Sequence, residues 1–436
     1  MQNKQLDGCL DLQHVLCRRG KTMTTLTRET IPAASRGSTS PQISARAKST
    51  QDSPIRKLSA TAEARKLKGI RVYHLNIGQP DLPTPPIVFE TIRDLKMSTL
   101  AYAPSNGLPQ ALQAWKTYFD GHGLSLEEKE IIVTAGGSEA IVFAMCAICD
   151  YGDDIIVFEP FYTNYNGFAS IANVKLNPIP LHIRNGFHLP PSEEIEKHIT
   201  SRTRGILICS PSNPTGTIYS REETRRLVDI VKRRNLFLLS DEVYREFAYG
   251  TPVSSVLDFP EIADRSVLLD STSKRFNVCG ARIGALASHN KEIVQSAFRF
   301  GMARLSVASI EQLALVPLLK SAKTYTQPIV EEFWRRRDIV YEGLKAIPGV
   351  TSYEPEGAFY IVIGLPVKDA EHFSKWLIEE FEYEGQTVLL APGPGFYATR
   401  GTGANEVRLA FMLNGDDLRK ALIALRAALE EYGKRF

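Results

Sequence analysis

The stretch Val267–Gly284, with the sequence VLLDSTSKRFNVCGARIG, joins an apolar run to a set of polar side chains and so indicates a buried strand with a ligand site at its end. The residues that open it have the composition of a strand buried in a sheet. Ser271, Ser273 and Arg282 supply donors suited to a phosphate. Lys274 lies among them, and a partly desolvated amine near cations can form Schiff bases. By base rate a lysine is a solvated surface charge, so this prediction needs support from elsewhere in the chain.

Short apolar runs with the character of buried strands recur between residues 130 and 270. They lie at 131–134, 154–158, 205–208, 236–239 and 267–269. Helical stretches separate them, which predicts an α/β protein whose mostly parallel sheet is covered by helices on both faces. In open sheets of this kind, ligands bind beyond the carboxyl ends of the strands. The residues that follow each run are therefore the candidates for a site.

The chain is predicted to have four parts. They are a disordered leader at 1–52, an N-terminal segment at 53–98 that joins a small domain, a large domain at 99–324 and a small C-terminal domain at 325–436. The leader is polar and lacks apolar periodicity, so it cannot bury enough apolar surface to fold. Beyond residue 325, a long helix at 328–346 precedes hairpin-like strands and further helices. This pattern predicts a smaller α+β domain.

Composition and charge exclude several classes of protein. With 43% hydrophobic and 23% charged residues, the 436-residue chain has the make-up of an ordinary globular protein. No apolar run approaches the ~20 residues that cross a bilayer, so no membrane partner is predicted. The net charge is only +3, and residues 1–51 carry eight Lys/Arg against three Asp/Glu. The rest of the chain is slightly acidic, so no nucleic-acid partner is predicted either.

The composition of the leader is compatible with two cellular locations of the protein. A basic, Ser-rich segment poor in acidic residues is typical of an organellar transit peptide. It lacks the apolar core of a secretory signal, and Met23 offers an alternative start, which would make the segment an upstream extension. Cytoplasmic residence is the favoured prediction, and an organelle is the alternative.

Cys146 and Cys149 form a lone Cys-x-x-Cys, a spacing that can bind zinc. A zinc site would need a second pair or histidines at ligand spacing, and none follows. The surrounding segment 140–149 is small and apolar. Both thiols are therefore predicted to pack inside a helix, and no metal site is predicted.

Three other strand ends also carry polar residues. Gly136–Ser138 follows the run 131–134 at a predicted helix start, where free N–H groups attract an anion. Asn213 is followed by proline, which cannot continue a strand, so its amide projects from a rigid turn. Asp241 comes directly after an apolar run, and a carboxylate there is costly without a partner. Tyr244 lies three residues on, close enough to address the same ligand. Each feature alone is equally typical of a turn or a helix cap.

Together, these strand ends supply the parts that pyridoxal 5′-phosphate requires: a Schiff-base lysine, an acidic partner for the ring nitrogen, donors to the ring oxygen and a phosphate site. A nicotinamide cofactor is disfavoured, because no Gly-x-Gly-x-x-Gly follows any early strand.

From residue 53 to the C-terminus, the chain resembles the class I, fold-type I aminotransferases that use pyridoxal phosphate, and among them aspartate aminotransferase. The motifs that carry the resemblance are NIGQPD (76–81), AYAPSNGL (101–108), PSNPTG (211–216), SDEVY (240–244), STSK (271–274) and EVRLAF (406–411). The resemblance implies a seven-stranded, mostly parallel sheet in a large domain, a smaller α+β domain, and a homodimer. It also implies transfer of an amino group from an L-amino acid, with aspartate as the expected donor, to a 2-oxo acid such as 2-oxoglutarate by a ping-pong mechanism.

The resemblance assigns roles to individual residues. Lys274 would carry the Schiff base and move the proton, and Asp241 would hold the ring nitrogen protonated. Asn213 and Tyr244 would hydrogen-bond the ring oxygen, and Tyr162 would stack on the ring in place of the tryptophan that is frequent in the family. The phosphate would be bound by Gly136, Gly137, Ser138, Ser271, Ser273 and Arg282.

The remaining assignments concern the substrate and the partner subunit. Arg408 would bind the substrate α-carboxylate, with Gly78 and Asn213 close to it. Tyr102 would reach into the phosphate site of the partner subunit. Arg304 is the candidate for the substrate's side-chain carboxylate across the dimer interface. Two alternatives stay open: β-elimination of the C–S lyase type, and an aminotransferase for aromatic, branched or alanine-type donors.

Overall fold

The computed structural model describes residues 41–50 and 53–436. Within the predicted leader, it shows one short helix, α1 (Ala45–Ser49). Residues 1–40 and 51–52 lie outside the described residues, so the prediction of disorder there stays a prediction. No helix in the described ranges is both long and apolar enough to span a bilayer.

The strands of the described residues fall into three sheets. In chain order they are β1 (Arg71–His74), β2 (Ile131–Thr134), β3 (Asp154–Glu159), β4 (Lys175–Pro180), β5 (Thr203–Cys209), β6 (Phe237–Asp241), β7 (Ser266–Ser271), β8 (Gly284–Ala287), β9 (Thr351–Ser352), β10 (Tyr360–Gly364), β11 (Gln386–Leu389), β12 (Ala391–Pro392) and β13 (Glu406–Ala410).

The α-helices after α1 cover these sheets. They are α2 (Ser59–Leu67), α3 (Ile87–Asp94), α4 (Pro109–Asp120), α5 (Gly137–Ile148), α6 (Asn164–Ala172), α7 (Ser192–Lys197), α8 (Arg221–Arg234), α9 (Lys291–Arg304), α10 (Ser309–Lys320), α11 (Ala322–Lys345), α12 (Ala370–Glu379) and α13 (Gly415–Arg435). The predicted helix at 328–346 thus begins six residues earlier, with Pro328 inside it.

The largest sheet of the described residues has seven strands in the order β2-β8-β7-β6-β5-β3-β4. Its neighbours are parallel except where β8 pairs with β7 and β2. The prediction of a mostly parallel, helix-covered sheet is confirmed. Strands β4 and β8 were not predicted. In the register of β5 and β6, Cys209 lies opposite Asp241, so the carboxyl ends of these two strands meet at one edge.

Alternating side chains of the central strands bury themselves on both faces of this sheet. Leu207 and Leu239 pack with α5 on one face. Ile206 and Leu238 pack with α8 on the other. Complete burial of a Leu or Ile side chain contributes ~1.5–3 kcal/mol each. These contacts hold the strand ends, and the polar residues that follow them, in fixed positions.

The C-terminal part of the chain adds a four-stranded antiparallel sheet in the order β12-β13-β10-β9. Residues 71–74 of β1 pair in parallel with residues 386–389 of β11, so the N-terminal segment joins this part of the molecule through a strand. Val88 of α3, in contrast, packs in a cluster with residues of α4 and α10. The domain boundaries at 53–98, 99–324 and 325–436 stay a prediction.

Candidate active site

A cavity of 650 Å³ lies where the carboxyl ends of β5, β6 and β7 meet the start of α5. Twelve of the fifteen predicted site residues line it, and β10 and β13 close one side with Tyr360 and Arg408. The twelve are Gly78, Gly137, Ser138, Tyr162, Asn213, Asp241, Tyr244, Ser271, Ser273, Lys274, Arg282 and Arg408. Gly136 lies next to them in the chain, and Tyr102 and Arg304 do not line this cavity.

Lys274 follows β7, and its ammonium group is held at the cavity wall. Its Nζ donates to the carbonyl oxygen of Gly78 at 2.9 Å and lies 3.8 Å from the Sγ of Cys279. Burial lowers the pKa of Lys274, and the charges of Arg408 and Arg282 lower it further, although Cys279 opposes them. A lowered pKa increases the neutral, nucleophilic fraction of a lysine at neutral pH.

Asp241 ends β6 with its carboxylate buried at the floor of the cavity. The hydroxyl of Tyr165 donates to its Oδ2 at 2.8 Å. Burial raises the pKa of Asp241 to about 6, even though the hydrogen bond from Tyr165 lowers it. Tyr162 packs edge-to-face on Tyr165 with ring centroids 5.6 Å apart. A buried carboxylate of this kind is stabilised by a cationic partner.

An anion site lies where β7 ends and α5 begins. The Oγ of Ser271 donates to the Oγ of Ser273 at 2.8 Å, and Nη1 of Arg282 donates to the same Ser273 oxygen at 3.3 Å. Gly136 has φ +78°, and a Cβ there would lie 2.3 Å from Nη2 of Arg282. Only glycine therefore lets the guanidinium approach the amino end of α5. Hydroxyls, a guanidinium and a helix N-terminus form a donor set that fits a phosphate ester.

The guanidinium of Arg408 is buried between two aromatic rings. Its Cζ lies 4.5 Å from the ring centroid of Tyr360 and 4.9 Å from that of Phe396. Nη1 donates to Oδ1 of Asn213 at 3.0 Å, and Nη2 donates to the carbonyl oxygen of Asn76. Its Nε is buried without a partner among the described residues. This fixed, incompletely satisfied cation is suited to bind a carboxylate from the cavity.

Gly78 and Tyr244 complete the wall near Arg408. A Cβ on Gly78 would overlap the hydroxyl of Tyr360, at 1.9 Å, so this position requires glycine. The hydroxyls of Tyr244 and Tyr360 are 3.0 Å apart and share a hydrogen bond. Burial raises the pKa of Tyr244 well above its usual value, so this hydroxyl keeps its proton.

Two of the predicted site residues, Tyr102 and Arg304, lie outside the cavity. The side chain of Tyr102 is 80% exposed, in a shallow depression that is also lined by Leu100 and by residues 306–311. Arg304 donates from Nε to Oε1 of Glu139 at 3.2 Å and from Nη2 to the carbonyl oxygen of Val133 at 3.2 Å. Within this chain, neither side chain reaches the cavity, and the roles predicted for them across a dimer interface stay predictions.

The predictions omitted several residues of the site. Tyr165 is the second residue of α6 and lies three positions after Tyr162, which precedes that helix; its closeness in sequence to a predicted site residue was the available signal. Tyr360 belongs to β10, far away in sequence, and nothing in its local sequence indicates the cavity. Asn76 and Cys279 fall inside quoted motifs but offer no separate signal.

The Cys-x-x-Cys pair lies away from the cavity. Cys146 belongs to α5, and Cys149 follows its last residue; both are half-buried and free. Burial raises the pKa of both thiols, to about 12 for Cys149, which makes them poor nucleophiles. In the described part of the chain, no cluster of three or more His, Cys, Asp or Glu is arranged to hold a metal ion.

The fold and the site define an enzyme suited to pyridoxal phosphate: the donor set suits its phosphate, the Asp241 carboxylate suits a protonated ring nitrogen, and Lys274 lines the same cavity. Residues 70–423 match the profile of the family described as "Aminotransferase class I and II". The chain belongs to this family. It is therefore a transaminase dependent on pyridoxal 5′-phosphate, as predicted.

Curated relatives and solved structures support the same assignment. The aspartate aminotransferase of Thermotoga maritima is 32% identical over 84% of this chain and 93% of its own. That of Pyrococcus horikoshii is 31% identical over 82% of this chain and 91% of its own. A double mutant of Thermus thermophilus aspartate aminotransferase superposes with a TM-score of 0.82 at 28% identity, covering 89% of this chain and 100% of the other.

Proposed function

We propose that this enzyme moves the amino group of aspartate to a 2-oxo acid such as 2-oxoglutarate by a ping-pong mechanism. The names of its relatives support aspartate as the donor. One observation carries the proposal: Lys274, Asp241 and Arg408 all line a single cavity. This arrangement provides a base for the Cα proton, a counter-ion for the cofactor and a binding group for a carboxylate.

When bound, pyridoxal phosphate supplies an electron sink for the charge that develops at the substrate Cα. Ser271, Ser273, Arg282 and the N–H groups at the start of α5 would hold its phosphate. Asp241 would keep the proton on the ring nitrogen, because a buried carboxylate favours a cation at its side. Tyr165 would hold the carboxylate in place through its hydrogen bond.

Lys274 would remove the proton from the Cα of the amino-acid substrate in the first half-reaction. In the second half-reaction it would deliver a proton to the Cα of the oxo acid. Its lowered pKa suits this work, since general base catalysis is most efficient when the pKa is near the operating pH. Asn213 and Tyr244 would donate to the ring oxygen of the cofactor, and Tyr162 would pack against the ring.

Arg408 would bind the α-carboxylate and thereby orient the Cα–H bond toward Lys274. Its contacts with the rings of Tyr360 and Phe396, and its hydrogen bonds to Asn213 and Asn76, hold the guanidinium in place before substrate arrives. A planar fork of donors matches a carboxylate bidentately. Preorganisation of this kind reduces the entropy that is lost on binding.

The assembly and the location extend the proposal. A homodimer is proposed because Tyr102 is 80% exposed and so is available to a partner's phosphate site. Leu100 beside it is 64% exposed, which adds apolar surface at the same place. Cytoplasmic residence remains the favoured location, and an organelle is the alternative if residues 1–51 are a transit peptide.

A half-reaction screen tests the proposed function. The holoenzyme is mixed with single amino acids in the absence of an oxo acid, and the cofactor absorbance is followed. We expect aspartate and glutamate to convert the cofactor fastest and aspartate plus 2-oxoglutarate to yield glutamate. Pyruvate and ammonia from cysteine or its thioethers, without glutamate, would instead establish a C–S lyase, and a preference for alanine or aromatic donors would reject aspartate.

A further inference from the structure

Four cationic side chains of the described residues line the cavity: Arg56, Lys274, Arg282 and Arg408. The proposed function uses three of them, for the Cα proton, the phosphate and the α-carboxylate. Arg56 is left without a role. The only acidic side chain among the described lining residues is Asp241, so the rest of the cavity is an environment for anions.

Arg56 belongs to a segment that is tied to the carboxylate-binding arginine. Nδ2 of Asn76 donates to the carbonyl oxygen of Ile55 at 2.7 Å. The carbonyl oxygen of the same Asn76 accepts from Nη2 of Arg408. A single residue therefore connects the backbone next to Arg56 with the guanidinium of Arg408.

Packing holds the same segment against the same arginine from a second side. Ile55 packs against the cluster that contains Phe396, whose ring covers Arg408. Pro54 lies so close to Gly395 that a Cβ there would be 2.3 Å from the proline Cβ. These contacts fix the backbone of residues 54 and 55 at the edge of the substrate site.

The side chain of Arg56 itself is not engaged elsewhere. It is exposed, and the described residues give its guanidinium neither an ion pair nor a hydrogen bond. The backbone around it is ordered by turn bonds, from Arg56 N–H to the carbonyl oxygen of Ser53 at 3.1 Å and from Ser59 N–H to that of Arg56 at 3.0 Å. Lys57, the next residue, pairs instead with Glu371 at 3.2 Å, outside the cavity.

We propose that Arg56 binds the side-chain carboxylate of dicarboxylic substrates and so selects four- and five-carbon amino and oxo acids. This inference rests on the proposed function, since it assumes that Arg408 holds the α-carboxylate. Because Asn76 and Phe396 link the segment that carries Arg56 to Arg408, the second carboxylate of a substrate held by Arg408 would find Arg56 on the wall of the same cavity. A guanidinium recognises that group bidentately, and its exposure leaves it free to do so.

Arg304 is the competing candidate for this role. Its guanidinium donates to Glu139 and to the carbonyl oxygen of Val133, and it lines no part of this chain's cavity. To bind a substrate it would have to exchange at least one of these bonds. The guanidinium of Arg56 makes no such hydrogen bond with the described residues. Arg56 is therefore the better candidate to bind the side-chain carboxylate.

The test compares Arg56→Gln and Arg56→Lys with the matched control Lys57→Gln in the holoenzyme. Initial rates are measured with aspartate and with alanine as donors. Binding of succinate and of butanoate, a dicarboxylate and a monocarboxylate of the same length, is measured by calorimetry. We expect Arg56→Gln to lower kcat/KM for aspartate and the affinity for succinate by about 10- to 100-fold, the scale of a hydrogen-bonded charge. Alanine and butanoate should change by less than about threefold.

Arg56→Lys should recover part of the loss with dicarboxylates because the charge remains, and Lys57→Gln should match the wild type with every ligand. An equal loss for aspartate and alanine would overturn the inference and mark Arg56 as structural. No loss with either would also overturn it, and a selective loss in Arg304→Gln alone would assign the role to Arg304. If the wild type transaminates no donor, the proposed function itself fails, and the succinate titrations still test Arg56.

Discussion

Replacing Asp241 by asparagine is expected to stabilise the apoprotein at neutral pH while it removes activity. Burial raises the pKa of this carboxyl from 3.8 to about 6. The folded state thus binds a proton more tightly than the unfolded state does, so this group contributes stability below pH ~4 that is lost as the pH rises through about 6. The difference between these two pKa values corresponds to ~3 kcal/mol above pH 7.

The variant removes the charge and nearly preserves the shape. The asparagine oxygen still accepts the hydrogen bond from Tyr165, and its NH2 replaces only the oxygen that accepts a long bond, 3.4 Å, from the Val243 N–H, so the buried charge is the main difference. The free-energy difference between Asp241→Asn and wild type should be near zero at pH 4 and rise to ~3 kcal/mol at pH 8. Urea unfolding of the two apoproteins at pH 4, 6 and 8, with equal m-values, measures it.

Two controls accompany this measurement. Asp229→Asn, on an exposed position of α8, should change stability by less than about 0.5 kcal/mol at any of these pH values. Saturating pyridoxal phosphate should stabilise the wild type more than the variant, since only a carboxylate pairs with a protonated ring nitrogen. A difference that does not depend on pH, or a variant less stable than the wild type at pH 8, would show that the buried charge of Asp241 does not destabilise the apoprotein.

Three further substitutions probe other parts of the site. Arg408→Lys should lower kcat/KM for all amino-acid donors alike, by ~2 kcal/mol or about 30-fold, because an ammonium lacks the bidentate fork; a donor-selective loss in steady-state kinetics would contradict this. Gly136→Ala should weaken cofactor binding about tenfold or more, since its Cβ would meet Arg282 and φ is +78°; an unchanged dissociation constant in a fluorescence titration would be the contrary result. Tyr165→Phe should raise the apoprotein pKa of Asp241 further, because the carboxylate loses a hydrogen bond that favours its charged form; an unchanged or lower pKa in carbon NMR of labelled aspartate would contradict this.

The strand ends of the large sheet could be predicted because the central strands are buried on both faces. Such strands consist of continuous apolar runs, as at 131–134 and 205–208. The first polar residue after each run lies at the edge of the sheet where the site is found. β4 and β8 lack this signal. β4 is an edge strand with prolines at 178 and 180, which an edge tolerates. β8 begins at Gly284, where a Cβ would lie 2.5 Å from the backbone of Gly136, so close packing rather than strand propensity selects its sequence.

The residues that were missed depend on tertiary contacts. Tyr360, in the C-terminal sheet, and Asn76, in the N-terminal segment, are distant in sequence and both contact Arg408 only in the folded chain. Arg56 likewise lines the cavity only in the folded chain, and nothing in its local sequence distinguishes it from the neighbouring Lys57. The start of α11 was misplaced because Pro328 suggests a helix start, whereas the helix accommodates it in its second turn.

The proposed function depends most directly on a Schiff base between Lys274 and pyridoxal phosphate in the cavity at the end of the large sheet. Borohydride reduction of the holoenzyme converts such a linkage into a stable secondary amine, and peptide mass spectrometry then locates it. We predict a pyridoxyl group on Lys274 and no other lysine. Lys274→Ala should remain unlabelled, and its turnover should fall by several orders of magnitude. A label on a different lysine, or near-normal turnover in Lys274→Ala, would contradict the account.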